Sequence, residues 1–88
     1  MPPAPTGLQI HPTSATKLDL HWNSVLTAST EVERNEEDTS FKRVATVAPG
    51  IQRVSDSIRR RRNYSYRVRS VNSLGKSPYS EVANYAAP

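Results

Sequence analysis

Tyr64-Ser65-Tyr66-Arg67-Val68-Arg69-Ser70-Val71-Asn72 alternates large apolar side chains with polar ones, residue by residue. Side chains of an extended chain point to opposite faces in turn, so a period of two describes a strand with one buried and one wetted face. The run breaks at Ser73-Leu74-Gly75-Lys76-Ser77-Pro78-Tyr79-Ser80, rich in turn-forming residues, and resumes toward Val82 and Tyr85, which predicts a hairpin.

The rest of the chain repeats this grammar. Leu8 and Ile10 alternate before His11-Pro12, as in a short edge strand. Lys17-Leu18-Asp19-Leu20-His21-Trp22 places Leu18, Leu20 and Trp22 on one face, and Glu31-Val32-Glu33-Arg34 turns Val32 inward and both glutamates outward. Phe41, Val44 and Val47 mark another short strand before the Pro49-Gly50 turn, and Val54, Asp56 and Ile58 share a face of the next. Seven strands in 88 residues predict an all-β, immunoglobulin-like two-sheet sandwich. Its expected core is Leu8, Ile10, Leu18, Leu20, Trp22, Val32, Val44, Val54, Ile58, Tyr64, Tyr66 and Val68. A chain of this length has room for one core only. Residues 1–5, Met1-Pro2-Pro3-Ala4-Pro5, read as a stiff leader, and residues 6–88 as the domain. No cysteine is present, so no disulfide staples the sheets and packing alone must hold them.

Particular residues in this pattern resemble the fibronectin type III family. Its members commonly carry Y-x-F/Y-x-V-x-A-V-N-x-x-G-x-S where this chain has Tyr64 to Ser77, and L-x-L-x-W where it has Leu18, Leu20 and Trp22. Ile58 stands six residues before Tyr64, the spacing of the tyrosine corner, in which the hydroxyl bonds back to upstream backbone. Trp22, Ile58 and Tyr64 are therefore the expected structural markers. Two positions depart from the family: Arg60 stands where Pro is preferred, and Thr30 where Tyr or Phe is usual. The resemblance spans Pro5 to Pro88 and implies a module of a multidomain protein, with an extracellular or cell-surface parent expected and an intracellular one the alternative.

Catalysis finds no foothold in the sequence. An active site needs a convergent set of acid, base, nucleophile or metal ligands in a concavity. His11 and His21 are the only histidines, and they read as two surface side chains. With three glycines there is no phosphate-binding loop and no nucleophile elbow. A sandwich of this size is expected to lack a pocket of about 300 Å³ or more. Glu36-Glu37-Asp38, with Glu31 and Glu33, lacks calcium-loop spacing and reads as a solvated turn. No enzyme activity, cofactor or metal is expected. Asn63-Tyr64-Ser65 satisfies the glycosylation sequon.

Charge is distributed unevenly. Residues 53–88 hold eight Lys/Arg against two acidic residues, whereas residues 1–52 hold four against six. Arg59, Arg60, Arg61 and Arg62 form one block, and Arg67 and Arg69 project from the outer face of their strand. Guanidinium forks pair bidentately with oxyanions, so these six are the candidate surface for a polyanionic glycan or an acidic protein. The competing reading is a solvated loop beside cross-strand pairs of Arg67 and Arg69 with Glu31 and Glu33. Few aromatic residues are spare for stacking on bases, which argues against nucleic acid. The preferred expectation is a monomeric, non-catalytic spacer or interaction module whose partners are neighbouring domains. The alternative is a ligand-binding domain that uses the arginine block.

Overall fold

The computed structural model describes residues 2–24 and 26–88. Its strands are β1 (Thr6–Ser14), β2 (Lys17–Asn23), β3 (Ser29–Glu36), β4 (Phe41–Val47), β5 (Arg53–Ser57), β6 (Asn63–Asn72), β7 (Gly75–Lys76) and β8 (Ala83–Ala86). One sheet runs β1-β2-β5; the other runs β4-β3-β6-β7, with β8 also paired to β6. Every pairing is antiparallel. The seventh strand of the expected sandwich is thus split in two, as β7 and β8.

Pro78 explains the split. It has no N–H to give a ladder, so strand pairing cannot run through it. Two serines bridge the gap instead. Ser77 and Ser80 donate backbone N–H to Ser70 and Val68 carbonyls at 2.8 and 2.7 Å. Their hydroxyls accept from the Ser70 and Val68 amides at 2.8 and 3.1 Å.

Alternation delivers one apolar face from each sheet. Leu18, Leu20 and Trp22 of β2 meet Val32, Tyr64, Tyr66 and Val68 of β3 and β6, closed off by Ile58 and Ala87. Leu8, Ile10, Ala45, Val47, Val54 and Tyr85 pack around this centre, partly buried. Burying a side chain of the Val, Leu or Phe class contributes about 1.5–3 kcal/mol, which makes this cluster the main stabilising term.

Val44 is a correction. It was expected in the core and is instead 37% exposed. On β3, Val32 pairs with Ala45 and Glu33 with Arg43, so β4 carries one extra residue at Val44. That bulge resets the alternation on this edge strand and turns Ala45 and Val47 inward in its place. In the segment before β1, Pro2 and Pro5 are buried.

Register fixes which loops share an end. Thr6 lies beside Asn23, and Trp22 N–H bonds to Gln52 O at 3.1 Å, so chain entry and the β2–β3 and β4–β5 connections meet at one pole. Ala86 pairs with Asn63, and Arg61 N–H bonds to Pro88 O at 3.1 Å, which places the chain exit at the β5–β6 loop on the opposite pole. The molecule measures 39 × 24 × 17 Å.

Candidate functional site

The outer face of the larger sheet concentrates the charge. β3 and β6 pair with Glu31 opposite Arg69 and Glu33 opposite Arg67. Arg69 Nε donates to Glu31 Oε1 at 2.7 Å, and Arg67 Nε to Glu33 Oε1 at 2.8 Å. Arg43 and Lys76 also reach Glu31 Oε2, at 3.4 and 3.7 Å. Both glutamates are buried beneath these cations. Burial alone would push the Glu31 carboxyl up, but the Arg69 hydrogen bond and the charges of Arg69, Lys76 and Arg43 outweigh it and hold the group below its ordinary 4.5.

Aromatic rings complete a ladder. The Arg67 guanidinium lies 4.0 Å from the Phe41 ring centre and 3.7 Å from that of Tyr79, and Arg69 lies 4.6 Å from Tyr79. Cations over ring faces gain roughly 0.5–1 kcal/mol at exposed sites. The Tyr79 hydroxyl donates to Glu33 Oε2 at 2.8 Å, so ring, arginine and carboxylate lock together. Arg67 and Arg69 are therefore engaged on both their charged edge and their flat face.

The arginine block divides. Arg62 Nη1 donates to Glu36 Oε2 at 2.7 Å, an ion pair to the last residue of β3. Arg59, Arg60 and Arg61 are exposed, and among the described residues none has a carboxylate within salt-bridge distance. Arg61 holds a left-handed backbone at φ 61°, a conformation that costs a residue with a Cβ about 1–2 kcal/mol. Of the six arginines singled out from the sequence, three are thus paired and three face solvent at one pole.

Of the structural markers, Ile58 and Tyr64 lie at that same pole and Trp22 at the other. Trp22, Ile58 and Tyr64 are all buried. The Tyr64 hydroxyl accepts the Arg59 N–H at 2.7 Å and points at the Arg59 carbonyl at 3.4 Å, so the corner closes five residues upstream with Arg60 in place of Pro.

Two arrangements escaped sequence reasoning. The first is Asp56, on the inward face of β5, where the Tyr66 hydroxyl donates to Oδ2 at 2.6 Å and Arg34 Nη1 donates to the same oxygen at 2.9 Å. This cluster bolts one sheet to the other. Burial, then the hydrogen bond to Asp56, pushes the Tyr66 hydroxyl far above its ordinary value. The second is the contact of His11 with His21, Nε2 to Nε2 at 2.5 Å. Their positions on adjacent segments were a signal; the hairpin register that aligns them was not readable.

Concavities are larger than expected. An open groove of about 490 Å³ runs over His11, Asp19, His21, Trp22 and Arg53. A second, of about 300 Å³, lies over Arg34, Glu36, Lys42 and Arg62. Both are surface furrows between side chains. Among the described residues, no set of three His, Cys, Asp or Glu could hold a metal ion, and no helix is long and apolar enough to cross a membrane.

No family model matches the chain, and the comparison with curated proteins returns no match. Solved structures do match. The chain superposes on a myokine structure with a TM-score of 0.85 at 16% identity, covering 100% of this chain and 99% of that one. An Fn3-like protein from Clostridium thermocellum gives 0.81 at 25% identity, over 99% of this chain and 94% of that one. Titin kinase with its flanking domains gives 0.82 at 22% identity; 98% of this chain matches only 17% of that one, a single unit in a longer array. With two antiparallel sheets, a buried tryptophan on the second strand, a tyrosine corner and this likeness along its whole length, the chain has the fibronectin type III fold.

Proposed function

We propose that this chain is a non-catalytic module of a larger multidomain protein, where it spaces and orients the domains on either side. The observation that carries this reading is chain geometry: entry and exit lie at opposite poles of a body 39 Å long. A domain of that form joins its neighbours end to end. The ion-paired, ring-stacked outer face supports the same role, because those side chains are already committed to each other. Extracellular or cell-surface placement belongs to this reading; Asn63 is exposed in its sequon and would accept a glycan there.

The test is to fuse a fluorescent domain to each end and measure energy transfer between them. A spacer gives one narrow transfer efficiency, which changes when Trp22→Ala unfolds the module. A broad distribution, or one indifferent to unfolding, would contradict it.

One observation favours a second reading. Arg59, Arg60 and Arg61 are exposed at the exit pole with no acidic partner among the described residues, as a site for a polyanionic glycan or an acidic protein would require. Retention on a sulfated polysaccharide separates the two readings.

A further inference from the structure

His11 on β1 and His21 on β2 are both exposed on the outer side of the three-stranded sheet. In their antiparallel register His11 faces Asp19 and His21 faces Gln9, so the histidines are diagonal neighbours. Diagonal positions are about 7–8 Å apart, within reach of ring side chains. The ring planes are within 9° of parallel, with centres 4.5 Å apart. Face-to-face rings keep their atoms about 3.5 Å apart. An Nε2–Nε2 contact of 2.5 Å therefore means that these rings meet edge to edge. The lone pair or hydrogen of a ring nitrogen lies in the ring plane, at the edge where the two Nε2 atoms meet. As a hydrogen bond this contact requires one ring to donate its Nε2 hydrogen and the other to accept it.

We propose that His11 and His21 form a two-histidine site for a divalent transition-metal ion of the nickel, copper and zinc group. Imidazole is a favoured donor for these ions. Two nitrogens each about 2.0–2.1 Å from a zinc ion lie about 2.9–3.4 Å apart at right-angle to tetrahedral geometry. The rings must part by less than about 1 Å to reach that separation, and ring rotation at an exposed site supplies it. The donor ring moves its hydrogen from Nε2 to Nδ1, which frees both Nε2 lone pairs with no change in charge.

The remaining coordination positions go to water or to a donor from another chain. Asp19, the nearest carboxylate in the register, is occupied by the Ser55 hydroxyl at 2.6 Å and Arg53 at 3.5 Å. Open positions distinguish sites that accept a further ligand from closed structural ones. The bound ion also ties edge strand β1 to β2, so it stabilises the folded chain in proportion to its occupancy.

The test uses the metal alone. Titration of the chain with zinc or nickel chloride at neutral pH, followed by NMR of the imidazole signals, should saturate at one ion per chain. Both rings should shift together, and the melting temperature should rise with occupancy. His11→Ala and His21→Ala should each weaken binding by about 10²-fold, as when a two-point attachment becomes one-point. Both side chains are exposed, so the circular-dichroism spectrum of each variant should match the parent. Arg53→Gln, which removes a neighbouring cation, should tighten binding. Rings that shift independently in the parent, binding that needs only one histidine, or undiminished binding in the double variant would each overturn the site.

Discussion

A hydroxyl and a carboxylate do much of the specific work at the residue scale. Tyr64→Phe removes one oxygen and leaves the Arg59 N–H without its 2.7 Å acceptor. The expected loss is about 1–3 kcal/mol, read as a lower urea midpoint at unchanged slope. Asp56→Asn keeps the shape but strips the charge that Arg34 and Tyr66 share. Hydrogen bonds to charged groups contribute about 1.5–3 kcal/mol, so a loss of that size is expected in the same titration. Trp22→Ala should cost about 3–5 kcal/mol, the range for deleting a buried large aromatic; an unchanged midpoint would place Trp22 outside the core. Trp22 and Tyr64 were legible in the sequence because each is a large ring on the buried phase of an alternating run. Asp56 was legible only as an inward position. A carboxylate there requires partners, and those come from the other sheet, 10 and 22 residues away in sequence. His11 and His21 were hidden for a similar reason: their contact depends on the β1–β2 register, which shifts at Thr6/Gln9 and again at Pro12/Ser14.

Between β3 and β6, alternation was enough to anticipate which charges face each other, and the sheet places Glu31 and Glu33 opposite Arg69 and Arg67. What it could not show is that the glutamates are buried, since Tyr79 and Phe41 arrive from other segments to cover the arginines. Surface pairs alone would contribute about 0–1 kcal/mol each. A buried carboxylate held by cations also makes stability depend on pH. The Glu31 carboxyl lies below its ordinary value when folded, so its stabilisation is full above the unfolded carboxylate range and disappears as pH falls through the folded value. The parent should therefore lose urea resistance between neutral and strongly acidic pH. Glu31→Gln should start lower at neutral pH and lose less on acidification. Equal losses in both would show that Glu31 does not contribute to the acid limb. The edge strand β4 was the least legible element, because the bulge at Val44 leaves no mark in residue type and reverses the phase of everything before it.

The whole molecule is a sandwich whose two ends differ. Leu26, Ile51 and Leu74, exposed by 72, 47 and 77%, stand on the connections at the entry pole, while Arg59, Arg60 and Arg61 stand at the exit. Overall architecture was readable because each strand repeats one simple pattern; the splitting of the last strand followed from Pro78 only once Ser77 and Ser80 were seen to carry its hydrogen bonds. On the proposed function this body holds other domains in place, with its arginines either paired internally or simply solvated. Elution from a heparin-type column against rising salt tests that claim most directly, because binding through several arginines weakens steeply as screening lengths shorten. The account expects the parent to elute near physiological salt, like other proteins of net charge +4, with Arg59→Gln, Arg60→Gln and Arg61→Gln together changing little. Retention to much higher salt that vanishes in the triple variant, at unchanged stability, would contradict it and make the exit pole a ligand site.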